Sequence, residues 1–167
     1  MEVGLSLGAN LGDRQANLAE ARDRIAAYPG IDMIAQSPIY ETEPVDVPDE
    51  HRQRLFLNAI LIMETLIAVP HLLRVLQDIE RQIGRAPHPV PNSPRPIDID
   101  IIYAGGQNIR ESHVRIPHPR WAERRFVVQP LCDLRPNLRL PGQPATVAEI
   151  LARLQNHGQA NLFTTNW

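Results

Sequence analysis

Two aspartates, Asp98 and Asp100, are the residues of this sequence whose types and spacing most clearly predict chemistry. They alternate with isoleucines from Ile97 to Ile101, and alternation with period two predicts a β-strand. Side chains two positions apart share one face of a strand, so the Cα atoms of the two aspartates should lie about 6.6 Å apart. Carboxylates at that spacing can share one hard cation or hold two cations about 3.5–4 Å apart. The alternative is a solvated acidic face, but like charges on one strand repel, and the opposite face is apolar as in a core strand.

The basic residues narrow the ways in which this chain can bind phosphate. All 17 are arginine, and the sequence contains no lysine. A Walker A phosphate loop and a lysine Schiff base are therefore both excluded. Any phosphate would have to be held by arginine, by backbone amides or by a metal ion. Arginines at 85, 95, 115 and 124 lie in the loops around the acidic strand, a combination that suits a phosphate–magnesium substrate.

Composition excludes several other classes of protein. The net charge of -2 and the aromatic content of 5% do not predict nucleic-acid binding. The apolar run from Ala59 to Val69 is interrupted by Glu64 and is too short to span a bilayer. Cys132 is the single cysteine, too few for a disulfide framework or, with the scattered histidines, for a zinc site. We therefore predict a cytoplasmic protein that binds neither nucleic acid nor membrane.

Hydrophobic periodicity predicts the elements that must position these residues. A βαββαβ order is typical of a ferredoxin-like α+β fold, with an antiparallel sheet and both helices on one side. A helix from Arg124 through Leu131 and a capped helix from Thr146 to Leu154 should follow. No repeat or linker suggests a second domain, so residues 1–167 are predicted to form one. The core elements are predicted at Val3–Leu7, Arg14–Tyr28, Ile31–Tyr40 with a kink at Pro38, Leu55–Thr65, Pro70–Ile83 and Ile97–Tyr103.

Two further features point to a bound small molecule. Asn58 interrupts an otherwise apolar strand, and a buried amide needs a partner either within the protein or from a ligand. The loops at residues 41–51 and 86–96 are long and rich in proline, and loops of this length are often functional. We expect both loops to close over a bound nucleotide.

The run from Pro94 to Asp100 resembles the signature of the 6-hydroxymethyl-7,8-dihydropterin pyrophosphokinase family. Other segments that resemble the family follow in order along nearly the whole chain: Leu7–Gly12, Tyr40–Val45, Phe56–Ala59, Gln77–Glu80, Gly84-Arg85 and Ile116–Pro119 through Phe126. The resemblance implies a three-layer α/β/α sandwich. It also implies transfer of pyrophosphate from the co-substrate ATP to the hydroxymethyl group of the pterin, with release of AMP. No obligate protein partner is implied.

The resemblance further implies a role for individual residues of this chain. Asp98 and Asp100 would hold two Mg²⁺ ions, and with Arg85 and Arg95 they would form the catalytic group. Besides those two arginines, the ATP site would include Gln77, Glu80, the backbone at Ile101, His118 and Arg124. The pterin site would include Thr42, Pro44, Val45, Phe56, Asn58 and Phe126, with the two phenylalanines on opposite faces of the ring.

Three departures from the family pattern and two rival functions remain. Asn92-Ser93 replaces commoner residues, the segment from Ala86 to Pro91 lacks basic residues, and Phe56 stands where tyrosine is common.

One rival function is that of a nucleotidyltransferase with an Asp-x-Asp strand, which normally needs a third carboxylate. The other is a non-catalytic ferredoxin-like module that binds RNA or a small effector. Pterin-dependent release of AMP from ATP separates the three.

Overall fold

A six-stranded antiparallel sheet forms the centre of the molecule in the computed structural model, which describes residues 1–44, 54–86, 93–154 and 158–167. The strands lie in the order β5-β1-β4-β3-β8, and β2 pairs with β4 beyond the end of β3. This order of the core strands is that of a ferredoxin-like sheet. The strands are β1 (Glu2–Ala9), β2 (Ile31–Gln36), β3 (Ile39–Thr42), β4 (Phe56–Thr65), β5 (Asp98–Ala104) and β8 (Ala160–Thr164). A separate short hairpin pairs β6 (Ile109–Arg110) with β7 (Arg115–Ile116).

In the described part of the chain, four α-helices cover the two faces of the sheet. The helices α1 (Arg14–Ala26) and α2 (Val69–Gln82) contribute to one apolar cluster, and α3 (Arg125–Leu134) and α4 (Val147–Arg153) contribute to a second cluster. The predicted α+β class, the ferredoxin-like plan and the three-layer sandwich are thereby confirmed. Within the described ranges, no helix has the length and apolar character needed to cross a lipid bilayer.

The central strand β4 is buried on both faces and explains why the core has two halves. Leu57, Leu61 and Met63 belong to the cluster with α1 and α2, whereas Ile60 and Ile62 belong to the cluster with α3 and α4. Successive side chains of a strand point to opposite faces, which produces this division. The alternation predicted for this strand is confirmed.

The strand predicted from Ile31 to Tyr40 is two strands in the structure. Pro38 has no backbone N–H for the sheet, and the Ser37 hydroxyl accepts a hydrogen bond from the Ile60 N–H at 2.9 Å. The predicted kink is therefore a complete break, and β2 and β3 pair with different parts of β4.

A β-bulge lies where β1 pairs with β5. The register shifts between Gly4 and Leu5, and as a result both Ile102 and Tyr103 face the cluster with α3 and α4. The Tyr103 ring lies across Gly4, where an added Cβ would be 2.2 Å from Cε1 of the ring. The Tyr103 hydroxyl donates to Glu2 at 2.6 Å, which fixes the ring at the end of β1 away from the aspartates.

Candidate active site

Asp98 and Asp100 lie on the face of β5 that looks toward α3, as the sequence alternation predicts. In the sheet register Asp98 is opposite Gly8 of β1, Gly8 is opposite Asn58 of β4, and Asp100 is opposite Ser6. These residues form the floor of a cleft of about 670 Å³, including the part that opens to solvent. The segment from His118 to the start of α3 forms its other wall, with Arg120, Arg124 and Phe126 lining the cleft.

Each carboxylate oxygen of Asp98 is paired with an arginine. Nη1 of Arg85 lies 2.5 Å from Oδ1, and Nη2 of Arg95 lies 2.9 Å from Oδ2. The structure thus brings these three residues together from the turn after α2, the loop before β5 and β5 itself, and Asp100, the fourth residue expected to be catalytic, adjoins them. The Nε atom of Arg95 is also buried without a hydrogen-bond partner among the described residues.

Asp100 lies beside this group in a more buried position. Burial and the nearby Asp98 carboxylate raise the pKa of Asp100, and the charges of Arg124, Arg95 and Arg85 act in the opposite direction. Among the described residues no cluster of three acidic, histidine or cysteine side chains could hold a metal ion. Two carboxylates suit Mg²⁺, which commonly binds one or two carboxylates and takes its other ligands from substrate phosphates and water. The residues present therefore fit a magnesium–nucleotide complex.

Glu80 lies on a buried side of α2, next to β5. Only 5% of the residue is exposed, and its Oε1 accepts the backbone N–H of Ile99 at 2.7 Å. It also forms an ion pair with Arg85. Burial raises the pKa of the Glu80 carboxyl to about 7, although Arg85 and the Ile99 hydrogen bond lower it. These two partners offset part of the cost of burying the charge.

The outer edge of β5 is where the backbone at Ile101 was expected to meet a nucleotide. The Ile99 N–H points away from β1, since it donates to Glu80, and Ile101 shares that direction two residues further along. The backbone N–H of His118 donates to the Ile102 carbonyl at 2.9 Å, so the wall segment meets the same edge. Gln77 is exposed on α2, the helix that supplies Glu80 to this edge.

His118 is uncharged at neutral pH in this setting. Burial and the nearby charges of Arg124 and Arg120 lower the pKa of the imidazole to about 4. Its Nδ1 accepts the backbone N–H of Arg120 at 3.2 Å, so in the neutral ring the proton is on Nε2. The residue can therefore donate one hydrogen bond to a ligand without adding positive charge.

An aromatic subsite lies at the β4 end of the cleft. Phe56 and Phe126 both line it, and an arginine side chain lies over each ring. Cζ of Arg95 is 5.7 Å from the Phe56 ring centroid, and Cζ of Arg124 is 5.6 Å from the Phe126 ring centroid. Asn58 is 3% exposed and donates from Nδ2 to Oγ1 of Thr42 at 2.8 Å. This side chain therefore finds a partner within the protein and still borders the cleft.

The remaining predicted residues divide into three groups. Pro44 borders an adjoining pocket together with Thr42 and Phe126. Val45 lies outside the described residues, as do residues 45–53 and 87–92 of the two loops expected to close, so those predictions stay predictions. Arg115 is exposed on β7 and is not among the residues that line the cleft.

Sequence reasoning did not single out four residues that line this cleft: Ser6, Gly8, Glu43 and Arg120. A signal was present for two of them, because Gly4, Ser6 and Gly8 place three small residues on one face of β1 with period two. Small side chains on a strand beside two aspartates leave space for a ligand. Glu43 and Arg120 lie in irregular segments, where no periodicity shows which way a side chain points.

Three comparisons with known proteins bear on the family and the fold of this chain. A family model described as 7,8-dihydro-6-hydroxymethylpterin-pyrophosphokinase matches residues 4–136. The chain is 38% identical over 154 residues to a 2-amino-4-hydroxy-6-hydroxymethyldihydropteridine pyrophosphokinase of Methylorubrum extorquens, with 92% of this chain and 94% of that protein covered. It is also 42% identical over 133 residues to a folate synthesis bifunctional protein of Arabidopsis thaliana, with 80% of this chain covered.

The coverage of the relatives differs, and it limits what each comparison shows. The chain spans only 27% of the Arabidopsis bifunctional protein. A crystal structure of Plasmodium falciparum HPPK-DHPS with pteroate matches with a TM-score of 0.72 and 15% identity, covering 93% of this chain and 43% of that one, and this likeness shows the fold alone. The family model, by contrast, covers most of the chain, including β1 to β5 and the cleft. The chain belongs to the 7,8-dihydro-6-hydroxymethylpterin-pyrophosphokinase family.

Proposed function

We propose that this chain, as one domain of residues 1–167, transfers a pyrophosphoryl group from ATP to the hydroxymethyl oxygen of 6-hydroxymethyl-7,8-dihydropterin and releases AMP. The observation that carries the proposal is the paired carboxylates of Asp98 and Asp100, enclosed by Arg85, Arg95 and Arg124 beside an aromatic subsite. The names of the relatives support the same reaction. The cytoplasmic location predicted from the sequence is part of this proposal.

The aromatic subsite would bind the pterin. Its ring would stack on Phe56 and Phe126, which both line the cleft, because aromatic rings stack favourably with flat heterocycles. The Asn58 amide and the backbone from Thr42 through Pro44 and Val45 would read the polar edge of the ring. Gly8 keeps the floor between Asp98 and Asn58 open, so the hydroxymethyl group can approach the aspartates.

Asp98 and Asp100 would hold two Mg²⁺ ions together with the triphosphate. When bound, these ions would neutralise the phosphate oxygens and orient them for in-line displacement. The protein's task is then mainly positioning, because Asp98 and Asp100 would be occupied as metal ligands, and a metal-bound carboxylate is a poor general base. The hydroxymethyl oxygen would attack the β-phosphorus, the bond from that phosphorus to the oxygen bridging it to the α-phosphate would break, AMP would leave with that oxygen, and the hydroxyl proton would pass to solvent.

The arginines and His118 would bind the phosphates during this step. Arg85 and Arg95 now occupy both oxygens of Asp98, so they would exchange that carboxylate for phosphate oxygens when the nucleotide arrives. A guanidinium presents parallel N–H donors that match two phosphate oxygens. Arg124 lies across the cleft, and His118 would donate from Nε2. The nucleotide base would lie at the outer edge of β5, near the Ile101 backbone and Gln77.

An assay of AMP release from ATP, with and without the hydroxymethyl pterin, tests the function directly. Asp98→Asn and Asp100→Asn each remove one charge at nearly constant size, and we expect each to lower kcat more than about tenfold, or about 1.4 kcal/mol. Asp32→Asn, an exposed aspartate on β2, is the matched control and should be fully active. Release of pyrophosphate instead of AMP would identify a nucleotidyltransferase, and no turnover would favour a binding module. Retention of more than a tenth of the activity in either active-site variant would contradict the metal assignment.

A further inference from the structure

We infer that Glu80 is a positioning residue for the proposed reaction and not a direct contact to the nucleotide. The inference rests on the proposed function, and it replaces the ATP contact implied by family resemblance. Glu80 is 5% exposed, so its carboxylate has little surface to offer a substrate. Both of its partners lie beside the two aspartates. Arg85 pairs with Asp98, and Ile99 lies between Asp98 and Asp100 in the chain. Its effect on catalysis would therefore pass through those partners.

The first link runs from α2 to the strand that carries the aspartates. Ile99 lies between Asp98 and Asp100, and its N–H donates to Oε1 of Glu80 at 2.7 Å. Because β5 is the outermost strand on its side of the sheet, this N–H has no strand neighbour to bond. The helix-borne carboxylate takes the place of that neighbour and fixes the position of both aspartates relative to α2.

The second link holds Arg85 at two points. Its backbone N–H donates to the carbonyl oxygen of Glu80 at 3.0 Å, and its guanidinium pairs with the Glu80 carboxylate. Gly84, with φ of +107°, provides the reversal at the end of α2 that makes the backbone bond possible. The same Nη1 atom of Arg85 also lies 2.5 Å from Asp98. Arg85 therefore pairs with two carboxylates: that of Glu80, which is not a proposed metal ligand, and that of Asp98, which is.

Because Arg85 pairs with two carboxylates, the role of Glu80 when substrate binds can be predicted. Asp98 would then bind the Mg²⁺–nucleotide complex, and Arg85 would lose its ion pair with Asp98. Glu80 would remain and keep the guanidinium at the cleft, ready to donate to a phosphate. If Glu80 were neutral, Asp98 would be the sole carboxylate among the described residues that pairs with Arg85. The Arg85–Asp98 ion pair would then compete with Mg²⁺ for the Asp98 carboxylate.

A double-mutant cycle on catalysis and nucleotide binding tests the inference. Glu80→Gln keeps the size of the side chain and an oxygen for the Ile99 N–H, but it removes the charge that anchors Arg85. We expect kcat/KM for ATP to fall about tenfold or more, with KM for pterin unchanged, and calorimetry with a non-hydrolysable ATP analogue and Mg²⁺ to show weaker binding. In an Arg85→Ala background the same change should have an effect of less than about twofold.

Unfolding measurements on the same four proteins provide a readout that does not depend on turnover. In the wild-type background Glu80→Gln should change Tm little, because the loss of the ion pair with Arg85 and the removal of a buried charge act in opposite directions. In the Arg85→Ala background it should raise Tm, because it removes a buried carboxylate left without its cation. Glu20→Gln, which neutralises an exposed carboxylate paired with Arg24 on α1, is the matched control and should change neither activity nor binding.

The outcomes separate this inference from the proposed function. An equal loss of nucleotide affinity from Glu80→Gln in both backgrounds would show that Glu80 acts without Arg85 and would overturn the inference. Unchanged affinity in the single variant would overturn it as well. A wild-type protein that releases no AMP would refute the proposed function, whereas a larger rise in Tm from Glu80→Gln in the Arg85→Ala background than in the wild-type background would still establish the Glu80–Arg85 coupling.

Discussion

Asp98 shows how a single residue can be neutralised before its ligand arrives. Its side chain is about one-fifth exposed, and both oxygens face guanidinium groups, those of Arg85 and Arg95. Ion pairs at such sites are partly screened by solvent, so they contribute modestly to folding. Their more important effect is to hold the two arginines that we propose to bind phosphate next to the carboxylate pair.

Replacement of Arg95 by lysine separates the effect of geometry from the effect of charge. Arg95→Lys keeps a cation but loses the planar fork and the contact of the guanidinium with the Phe56 ring. We expect kcat/KM for ATP to fall at least about tenfold, which corresponds to about 1.4 kcal/mol. Arg153→Lys on the exposed side of α4 is the matched control. Full activity of the Arg95 variant would show that only a point charge is needed at this position.

The low pKa of His118 predicts a dependence of stability on pH. In the folded protein burial and two arginines lower the pKa to about 4, whereas an unfolded histidine has its ordinary value of 6.5. Between these values the unfolded chain binds more protons than the folded one, so acid favours unfolding. The contribution is fully present above about pH 6.5 and is lost as the pH falls toward 4. His118→Gln cannot titrate, so its urea midpoint should fall less than that of the wild type between pH 7 and 4.5. Equal falls, or an imidazole that titrates near pH 6.5 by NMR, would contradict the assignment.

At the scale of elements, the two glycines of β1 have different purposes. An added Cβ at Gly4 would lie 2.2 Å from the Tyr103 ring, whereas one at Gly8 would lie 3.3 Å from Oδ1 of Asn58, within the cleft. Gly4→Ala should therefore destabilise the fold by about 1–3 kcal/mol through overpacking, as measured by denaturant unfolding. Gly8→Ala should leave stability nearly unchanged and raise KM for pterin several-fold. A normal KM for pterin in Gly8→Ala would place the substrate elsewhere.

The elements that periodicity could predict were those with one buried face. The helix α2 and the strand β4 have strong apolar patterns, and both were located within a residue or two of their ends. In contrast β8, with no residue fully buried, was missed: it exists because it pairs with β3. The bulge opposite Gly4 was not predictable either, because two consecutive apolar residues on β5 give no sign of which one breaks the alternation.

The candidate site was predictable where sequence neighbours are also neighbours in space. Asp98 and Asp100 needed only the two-residue period of a strand. The role of Glu80 could not be deduced in this way, because its partner Ile99 is 19 positions away and the amphipathic pattern of α2 assigns a glutamate to solvent. The outer edge of β5 brings these two segments together, and only the tertiary structure shows it.

At the scale of the whole molecule, the two proposed subsites share a residue and should therefore communicate. Arg95 contacts the Phe56 ring on the pterin side and Asp98 on the nucleotide side. If nucleotide binding draws Arg95 from Asp98 to phosphate, its position over Phe56 changes as well. We expect pterin to bind about fivefold or more tightly when a non-hydrolysable ATP analogue and Mg²⁺ are present, and reciprocally.

Calorimetric titration of pterin with and without the analogue measures this coupling. Arg95→Ala serves as the test of mechanism, because it should weaken the coupling while both subsites keep their other residues. Equal pterin affinities in the two wild-type titrations would mean that the pocket is formed in advance. Coupling that persists in full without Arg95 would assign it to another element, such as the loops at residues 41–51 and 86–96.

The outer edge of β5 also affects whether two copies of this protein can associate through their sheets. An edge strand presents backbone groups that can recruit a strand from a second molecule and start aggregation. Here the Ile99 N–H is occupied by Glu80 and the Ile102 carbonyl by the His118 N–H, with Ile101 between them. A nucleotide bound at Ile101 would act as a surrogate strand and complete the closure of this edge. A bound nucleotide would then hinder self-association of the protein, in addition to serving as its substrate.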